Sequence, residues 1–233
     1  MKIALFGYGK MGKMIEQIAL VRNHTIVAKI DIDTTEIDFS QMDVAIDFSQ
    51  PSAAFGNIQQ CLEHNVPIIC GTTGWLKDFD KAVNLCEEKE GAFIYASNYS
   101  LGVNIFFELN TYLAKMMQNL KQYHVSLEEI HHTQKLDAPS GTAITLAEGI
   151  IENTDYRGWK LDIAGEGEIA ITAKRIDEVP GTHTITYSSN VDDIEIKHTA
   201  HNREGFALGA VVAAEWIIGK KGVFTMKDVL NLG

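Results

Sequence analysis

The chain opens with Lys2-Ile3-Ala4-Leu5-Phe6-Gly7-Tyr8-Gly9-Lys10-Met11-Gly12, a short apolar run followed by a glycine-rich turn. Residues 3–6 are typical of a buried β-strand, and apolar residues recur at helical spacing over residues 13–21. In a strand–GxGxxG–helix unit the glycines allow a tight turn, close approach of a pyrophosphate and close packing of helix on strand. We therefore predict a Rossmann-type parallel sheet whose turn binds a dinucleotide through Gly7, Tyr8, Gly9, Lys10, Met11 and Gly12.

An acidic residue follows the second predicted strand, residues 24–30. Asp31 stands 19 residues after Gly12, where a carboxylate can bind the adenosine ribose hydroxyls. The next residues are Ile32 and Asp33, so no Arg or Lys is placed there to bind a 2′-phosphate. We therefore predict that NADH is preferred, with NADPH also possible.

Strands and helices continue to alternate as far as residue 96. Strands are predicted at residues 43–48, 66–70 and 92–96, and this alternation indicates a parallel sheet with helices on both faces. The connection between Asp31 and Asp43 is too short for a full crossover helix. Because the carboxyl ends of parallel strands share one edge, the loops there should lie near the nicotinamide half of the cofactor. Their residues are Gly71, Thr72, Thr73, Ala96, Ser97, Asn98 and Tyr99.

The character of the sequence changes after a long predicted helix that starts at Leu101-Gly102. Residues 168–176, 181–188 and 191–199 alternate in polarity, which predicts a mixed or antiparallel sheet in an α+β domain. The Ala- and Val-rich helix at residues 204–218 suits packing onto the first domain. We expect a dinucleotide-binding domain (1–101, completed by 206–233) and a substrate-binding and oligomerisation domain (102–205), with a hinge at Leu101-Gly102. Arg203 either faces the site or joins a charge network.

Composition narrows the possible partners. The 233 residues carry a net charge of −11, which argues against nucleic-acid binding. The three cysteines lack CxxC spacing and fit a reducing compartment. Cys70 is either a nucleophile or, as we favour, a small buried residue that ends a strand. No metal-ligand spacing, signal peptide or transmembrane stretch stands out. We expect a cytoplasmic protein without a metal or a membrane partner.

One stretch places several ionisable and helix-capping side chains where a strand ends and a helix begins. It reads Glu129-Ile130-His131-His132-Thr133-Gln134-Lys135-Leu136-Asp137-Ala138-Pro139-Ser140-Gly141-Thr142-Ala143. Pro139 suits entry to a helix, Ser140 and Thr142 can cap it, and Gly141 allows a ligand near the backbone. Free N–H groups of the first turn attract an anion, and Lys135 adds a positive charge. The pattern predicts an anion pocket beside a proton donor; the alternative is a capped surface loop with solvated histidines.

This stretch closely resembles the signature of the dihydrodipicolinate reductase family. The resemblance extends over nearly the whole chain, through the glycine turn, residues 71–74 and 97–104, Gly181-Thr182-His183 and residues 198–203. It implies reduction of 4-hydroxy-tetrahydrodipicolinate, a cyclic dicarboxylate, to tetrahydrodipicolinate with NAD(P)H and loss of water, in lysine and diaminopimelate biosynthesis. It also implies a homotetramer assembled through the C-terminal sheets.

The resemblance assigns roles to the central residues. His131 matches the family's proton donor and acceptor, and Lys135 matches its second proton donor. His132, Ser140, Gly141 and Thr142 match the substrate-binding positions. The chain departs from longer members in its shorter glycine turn and in lacking a basic residue after the ribose acid. Two alternatives stay open: another nicotinamide-dependent reductase of a small anionic substrate, which the central motif disfavours, and a non-catalytic NAD-binding sensor, which an acidic chain disfavours.

Overall fold

The computed structural model describes residues 1–232, which form two compact units. The first unit contains Met1–Leu101 and the segment from Glu204 onward, and the second contains Gly102–Arg203. The second sheet is mixed and the first is parallel with helices on both faces, so the predicted fold class is confirmed. Within the described residues, no helix combines the length and apolar character needed to cross a membrane.

The first unit is built on a six-stranded parallel sheet of short, apolar strands. Their order across the sheet is β11-β5-β4-β3-β1-β2. The strands are β1 (Lys2–Phe6), β2 (Thr25–Ile30), β3 (Val44–Asp47), β4 (Ile68–Cys70), β5 (Ala92–Tyr95) and β11 (Gly222–Phe224). All neighbouring pairs are parallel. The loops that leave the carboxyl ends of these strands therefore meet along one edge, where doubly wound folds bind ligands.

Helices cover both faces of this sheet. The helices are α1 (Lys10–Val21), α2 (Pro51–Glu63), α3 (Phe79–Glu88), α6 (Glu204–Ile217) and α7 (Met226–Leu230). One buried cluster joins the sheet to α1 and α6, and another joins it to α2 and α3. The long α6 returns to this unit because its Ala, Val and Gly positions form a buried face; a side chain at Gly209 would collide with the Tyr99 carbonyl.

The crossover after β2 contains only a 3₁₀ turn at Phe39–Gln41, in agreement with the predicted lack of a full helix. The helix predicted from residue 13 begins at Lys10, directly after the Gly9 cap. Strand β11 and helix α7 were not predicted, since each is too short to show a period.

The second unit pairs two helices with a five-stranded mixed sheet. Its helices are α4 (Leu101–Met117) and α5 (Gly141–Ile151), and its strand order is β10-β9-β6-β8-β7. The strands are β6 (His124–His131), β7 (Gly158–Leu161), β8 (Glu168–Arg175), β9 (Gly181–Ser188) and β10 (Asp193–Ala200). Neighbours are antiparallel from β10 to β6 and parallel from β6 to β7. Strand β7 was not predicted.

The central strand β6 alternates between its two faces. Val125 and Leu127 pack into the core beneath α4 and α5. Because side chains alternate along a strand, Glu129 and His131 point to the same buried face. Along this face of β6 the apolar core residues are therefore followed by a carboxylate and an imidazole, which lie at the end of the strand that leads to α5.

Candidate active site

The register of the second sheet brings charged groups together at the end of β6. Glu129 is paired with His183 on β9, and His131 is paired with Arg175 on β8. The Arg175 guanidinium also donates to the Asp137 carbonyl at 2.6 Å. This bond ties the loop between β6 and α5 back onto the sheet.

Glu129 lies at the centre of this cluster, in contact with His131, His183 and Arg175, and has no solvent exposure. Its Oε1 accepts hydrogen bonds from the Ser140 backbone N–H and the Arg175 guanidinium, both at 3.1 Å. Its Oε2 lies 3.2 Å from His131 Nδ1 and 3.7 Å from His183 Nε2. Oε2 and His131 Nδ1 are both buried, and neither makes a hydrogen bond of regular geometry among the described residues. Their approach to 3.2 Å makes each the group that can meet the other's need for a partner.

The protonation states of Glu129 and His183 follow from their burial and from these contacts. Burial alone would raise the pKa of Glu129, but His131, His183, Ser140 and Arg175 outweigh it and hold that pKa well below its usual range. Burial lowers the pKa of His183, although Glu129 opposes the shift. Glu129 is therefore a carboxylate and His183 a neutral imidazole at neutral pH.

Glu129, His131 and His183 each place one ligand atom within 4.8 Å of the others, which is close enough to hold a metal ion. However, Arg175 lies against the same carboxylate. A fixed guanidinium at this distance repels a divalent cation and takes up one of the two carboxylate oxygens. We therefore interpret the three groups as an acid–base cluster.

The start of α5 supplies the predicted anion site. The Ser140 side chain caps the helix by accepting from the Ala143 N–H at 3.2 Å, and Ser140 Oγ also lies 3.1 Å from His183 Nε2. Gly141 is exposed and a side chain there would meet nothing within 4 Å, whereas Thr142 is half-buried in the first turn. The capping role was expected of Ser140 or Thr142, and Ser140 performs it.

Lys135 and His132 lie on the loop that joins β6 to α5. The Lys135 ammonium forms an ion pair with Asp137, with both carboxylate oxygens at 2.8 Å. His132 Nε2 lies 3.4 Å from the Arg203 guanidinium. Arg203 therefore approaches a predicted substrate-binding residue. The two also line a cavity of about 580 Å³ that includes Asp177.

In the first unit, the three glycines of the turn have different surroundings. Gly7 has a φ of +86°, and a side chain there would lie 2.3 Å from the Phe48 carbonyl oxygen. A side chain at Gly12 would lie 2.3 Å from the Gly7 carbonyl oxygen, whereas one at Gly9 would meet nothing within 4 Å. The backbone at Gly9 is thus open to a ligand at the uncapped start of α1. A pyrophosphate fits there, because free N–H groups attract an anion.

The other predicted residues of this turn differ in exposure. Lys10 is exposed and Met11 is partly buried against the core. The Tyr8 hydroxyl donates to Glu16, while the Lys29 ammonium lies 4.4 Å from the centre of the Tyr8 ring and 2.7 Å from Glu16. Lys29 therefore already forms an ion pair with Glu16.

Asp31 lines a cavity of about 630 Å³ next to the glycine turn. Its carboxylate accepts from the Ile32 N–H at 2.9 Å and is exposed, as is the Ile32 side chain. The lining also contains Phe39, stacked on His64 with ring centroids 4.2 Å apart. A cavity with an acid at one end and a flat apolar wall suits a ribose and its base.

The loops at the carboxyl edge are held by a buried acid that sequence reasoning missed. Asp47, at the end of β3, accepts from Thr72 Oγ1 at 2.7 Å and from the Asn57 amide at 2.8 Å. Burial raises the pKa of Asp47. Gly71 leaves room for the Phe48 ring, which a side chain at residue 71 would meet at 2.3 Å. Packing and hydrogen bonding therefore place this loop.

The remaining edge residues divide between surface and core. Thr73 and Ser97 are exposed, and Ala96 and Asn98 are partly exposed. Tyr99, expected to contact the cofactor, is instead 1% exposed. Its hydroxyl donates to the carbonyls of Cys70 and Ile94, so its side chain braces the strand ends. Burial raises the pKa of the Cys70 thiol far above its usual range, which fits the favoured reading of a buried residue rather than a nucleophile.

Comparison with known proteins identifies relatives along the whole chain. Residues 1–99 match the family model described as dihydrodipicolinate reductase, N-terminus, and residues 102–230 match its C-terminus. The chain is 60% identical over 234 aligned residues to 4-hydroxy-tetrahydrodipicolinate reductase of Christiangramia forsetii, covering 99% of this chain and 98% of that protein.

Solved structures agree in fold. A dipicolinate-bound dihydrodipicolinate reductase from Paenisporosarcina sp. TG-14 matches with a TM-score of 0.81 at 23% identity, covering 96% of this chain and 97% of that one. GenD2 from gentamicin A biosynthesis, in complex with NAD, matches with a TM-score of 0.61 at 10% identity and coverages of 99% and 90%. At these identities the likeness concerns the fold.

Proposed function

The chain belongs to the dihydrodipicolinate reductase family, and from that membership we propose how its residues carry out the family's reaction. The enzyme reduces 4-hydroxy-tetrahydrodipicolinate to tetrahydrodipicolinate with a nicotinamide cofactor and loss of water, in lysine and diaminopimelate biosynthesis. The observation that carries the assignment of residues is the buried His131–Glu129 contact beside the open start of α5.

The substrate is a small cyclic dicarboxylate, and the start of α5 suits one of its carboxylates. The N–H groups of Gly141 and Thr142 are not used by the Ser140 cap, and side-chain space at Gly141 is open. We assign substrate binding to His132, Ser140, Gly141 and Thr142. His131 exchanges a proton with the bound ring, and Lys135 is the second proton donor.

The first unit is assigned to the cofactor, which supplies a hydride when it is bound. The pyrophosphate is placed at Gly7, Tyr8, Gly9, Lys10, Met11 and Gly12, and the adenosine ribose at Asp31. Loop residues Gly71, Thr72, Thr73, Ala96, Ser97 and Asn98 face the nicotinamide half, while Tyr99 supports them from the core. The support for this placement is the open backbone at Gly9 and the cavity beside Asp31.

NADH is the proposed preferred cofactor, because Asp31 would repel a 2′-phosphate and Ile32 offers it no positive charge. Ile32→Arg places a guanidinium beside the ribose and should raise kcat/KM for NADPH at least about tenfold relative to NADH. Ile32→Gln is the uncharged control of similar reach. A wild-type kcat/KM that strongly favours NADPH would contradict the preference.

Assembly and location follow from the family assignment. We propose a homotetramer built through the sheets of the second unit, working in the cytoplasm where its pathway operates. The outer face of that sheet carries small polar side chains along its centre, which would suit contact with another sheet.

The decisive test of the reaction is loss of nicotinamide absorbance with substrate generated in situ from aspartate semialdehyde and pyruvate by the preceding synthase. Rapid oxidation that requires all components is expected. Binding of the cofactor without any oxidation would instead favour another anionic substrate or a sensor.

A further inference from the structure

We propose that Glu129 is a positioning residue that fixes His131 in the Nδ1–H tautomer, so that Nε2 is the atom that exchanges a proton with the substrate. This inference rests on the proposed function of His131 and names the residue that prepares it.

Glu129 carries a negative charge inside the protein. Its carboxylate has no exposure and is held in the ionised form by Arg175 and the Ser140 N–H on Oε1. An ionised carboxylate can only accept hydrogen bonds. The ring nitrogen 3.2 Å from Oε2, His131 Nδ1, must therefore carry a hydrogen if the two atoms are to interact favourably.

Nε2 is the ring nitrogen of His131 that a ligand can reach. His131 Nδ1 is fully buried, so only Nε2 is left for a ligand. Gly181 keeps the space beside Nε2 clear, since a side chain there would lie 3.1 Å from that atom. The neutral ring thus presents a lone pair at Nε2, and the protonated ring presents a donor there.

The proton balance is simple. Nε2 gives one proton to the substrate, the N–H at Nδ1 stays on the ring, and His131 changes from imidazolium to imidazole. Glu129 remains ionised, so the net charge of the His131–Glu129 pair changes from zero to one negative charge. It returns to zero when Nε2 takes a proton from water. The carboxylate stabilises the imidazolium without being protonated itself.

Other charged groups act on this pair from every neighbouring element. The arginine on β8 lies against the Glu129 carboxylate, and the lysine on the loop is paired with the Asp137 carboxylate. The histidine on β9 is neutral because burial lowers its pKa, and the histidine behind it on β10 is likewise shifted downward by burial. These groups are Arg175, Lys135, Asp137, His183 and His198.

The test compares Glu129→Gln with Glu128→Gln, each measured against the unaltered enzyme. Glu129→Gln keeps the shape but removes the charge, and kcat should fall about ten- to a hundredfold with little change in KM. Glu128 lies on the opposite face of β6 and pairs with Lys174, so Glu128→Gln should leave kcat nearly unchanged.

A double-mutant cycle separates positioning from a merely structural role. In a His131→Gln background, Glu129→Gln should have almost no further effect on kcat, because its partner is already lost. An equal loss of kcat in both backgrounds would overturn the proposal. Absence of activity in the wild-type enzyme would instead overturn the proposed function.

A measurement on the wild type keeps the proposal testable if Glu129→Gln fails to fold. Histidine side-chain ¹⁵N NMR, with the His131 signal assigned by its loss in His131→Gln, reports which ring nitrogen carries the hydrogen. The Nδ1–H form is expected for the neutral ring, and the Nε2–H form would contradict the inference.

Discussion

Glu129 has no contact with water, so the groups around it must balance its charge. A buried carboxylate that loses its partners is strongly destabilising, whereas one that accepts several hydrogen bonds is held ionised. The backbone of Ser140, the Arg175 guanidinium and two imidazoles meet that need. The same contacts that make the charge tolerable therefore also orient the proposed proton donor.

These contacts make stability depend on pH. The folded pKa of Glu129 lies below its unfolded value of 4.5, so its contribution is complete above about pH 4.5 and is lost as pH falls further. Burial also lowers the pKa of His183 from 6.5. The unfolded chain therefore takes up protons first, and stability starts to fall below about pH 6.5.

Denaturant unfolding at a series of pH values checks this dependence. Between about pH 4.5 and pH 3, Glu129→Gln should lose stability less steeply than the wild type, because one titrating carboxylate has been removed. Glu128→Gln serves as the matched control, since its carboxylate is partly exposed. Identical slopes for wild type and Glu129→Gln in this window would contradict the lowered pKa.

The two proposed proton donors should respond alike to substitution. His131→Gln and Lys135→Ala should each reduce kcat by at least about a hundredfold, the usual effect of removing a positioned acid. His132→Gln, at a proposed binding position, should raise KM first. Steady-state kinetics with the in-situ substrate measures all three, and near-normal kcat in either donor variant would remove that residue from the mechanism.

Sequence reasoning could place His131 and Ser140 in one site because they lie on one stretch. It gave Glu129 no role, because the partners that define it come from β8 and β9, more than 40 residues later. A signal was present: Val125, Leu127, Glu129 and His131 share one parity along β6. A carboxylate on the core face of a strand requires partners.

At the scale of elements, two helices begin at, or directly after, a glycine with free space beside its Cα. Gly9 precedes α1 and Gly141 begins α5, and a side chain at either would meet no atom within 4 Å. The helix starts differ in their caps: Ser140 caps α5, whereas α1 has no side-chain cap. The first turn of α1 therefore keeps more free N–H groups, as a doubly charged pyrophosphate would require.

Two substitutions in the glycine turn should separate folding from binding. Gly9→Val fills open space and should raise KM for the nicotinamide cofactor about tenfold or more with little change in Tm, because the side chain occupies the ligand's position. Gly7→Ala should lower Tm, since φ is +86° and Phe48 O lies at 2.3 Å from the added carbon. Thermal unfolding and cofactor titration distinguish them; a large loss of Tm in Gly9→Val would refute the assignment.

Element prediction succeeded where a period was long enough to read and failed where tertiary contacts decide. The Rossmann alternation and the missing crossover helix followed from spacing alone. Strand β11 has three residues and forms because it pairs with β5 at the sheet edge. Tyr99 looked like a loop residue beside the cofactor, but its hydroxyl bonds to carbonyls at two strand ends and draws the ring into the core.

At the scale of the whole molecule, the net charge of −11 makes self-association depend on surfaces without concentrated acid. One such surface is the outer face of the second sheet. A row of paired positions crosses all five strands there, with small side chains at its centre and charges only on the outer strands. The row consists of Glu195, Thr186, Ser126, Ala170 and Lys160. Its centre can lie close to another sheet without burying an unpaired charge.

Ser126→Arg should therefore disrupt the proposed tetramer. Ser126 is exposed at the middle of the row, and a long, charged side chain there would hold a second sheet away from the small side chains around it. Sedimentation velocity should show smaller species for Ser126→Arg and a tetramer for the wild type. Gln122→Arg adds the same charge to an exposed turn outside the sheet and should remain tetrameric. A Ser126→Arg protein that stays tetrameric would mean that this face is not the interface.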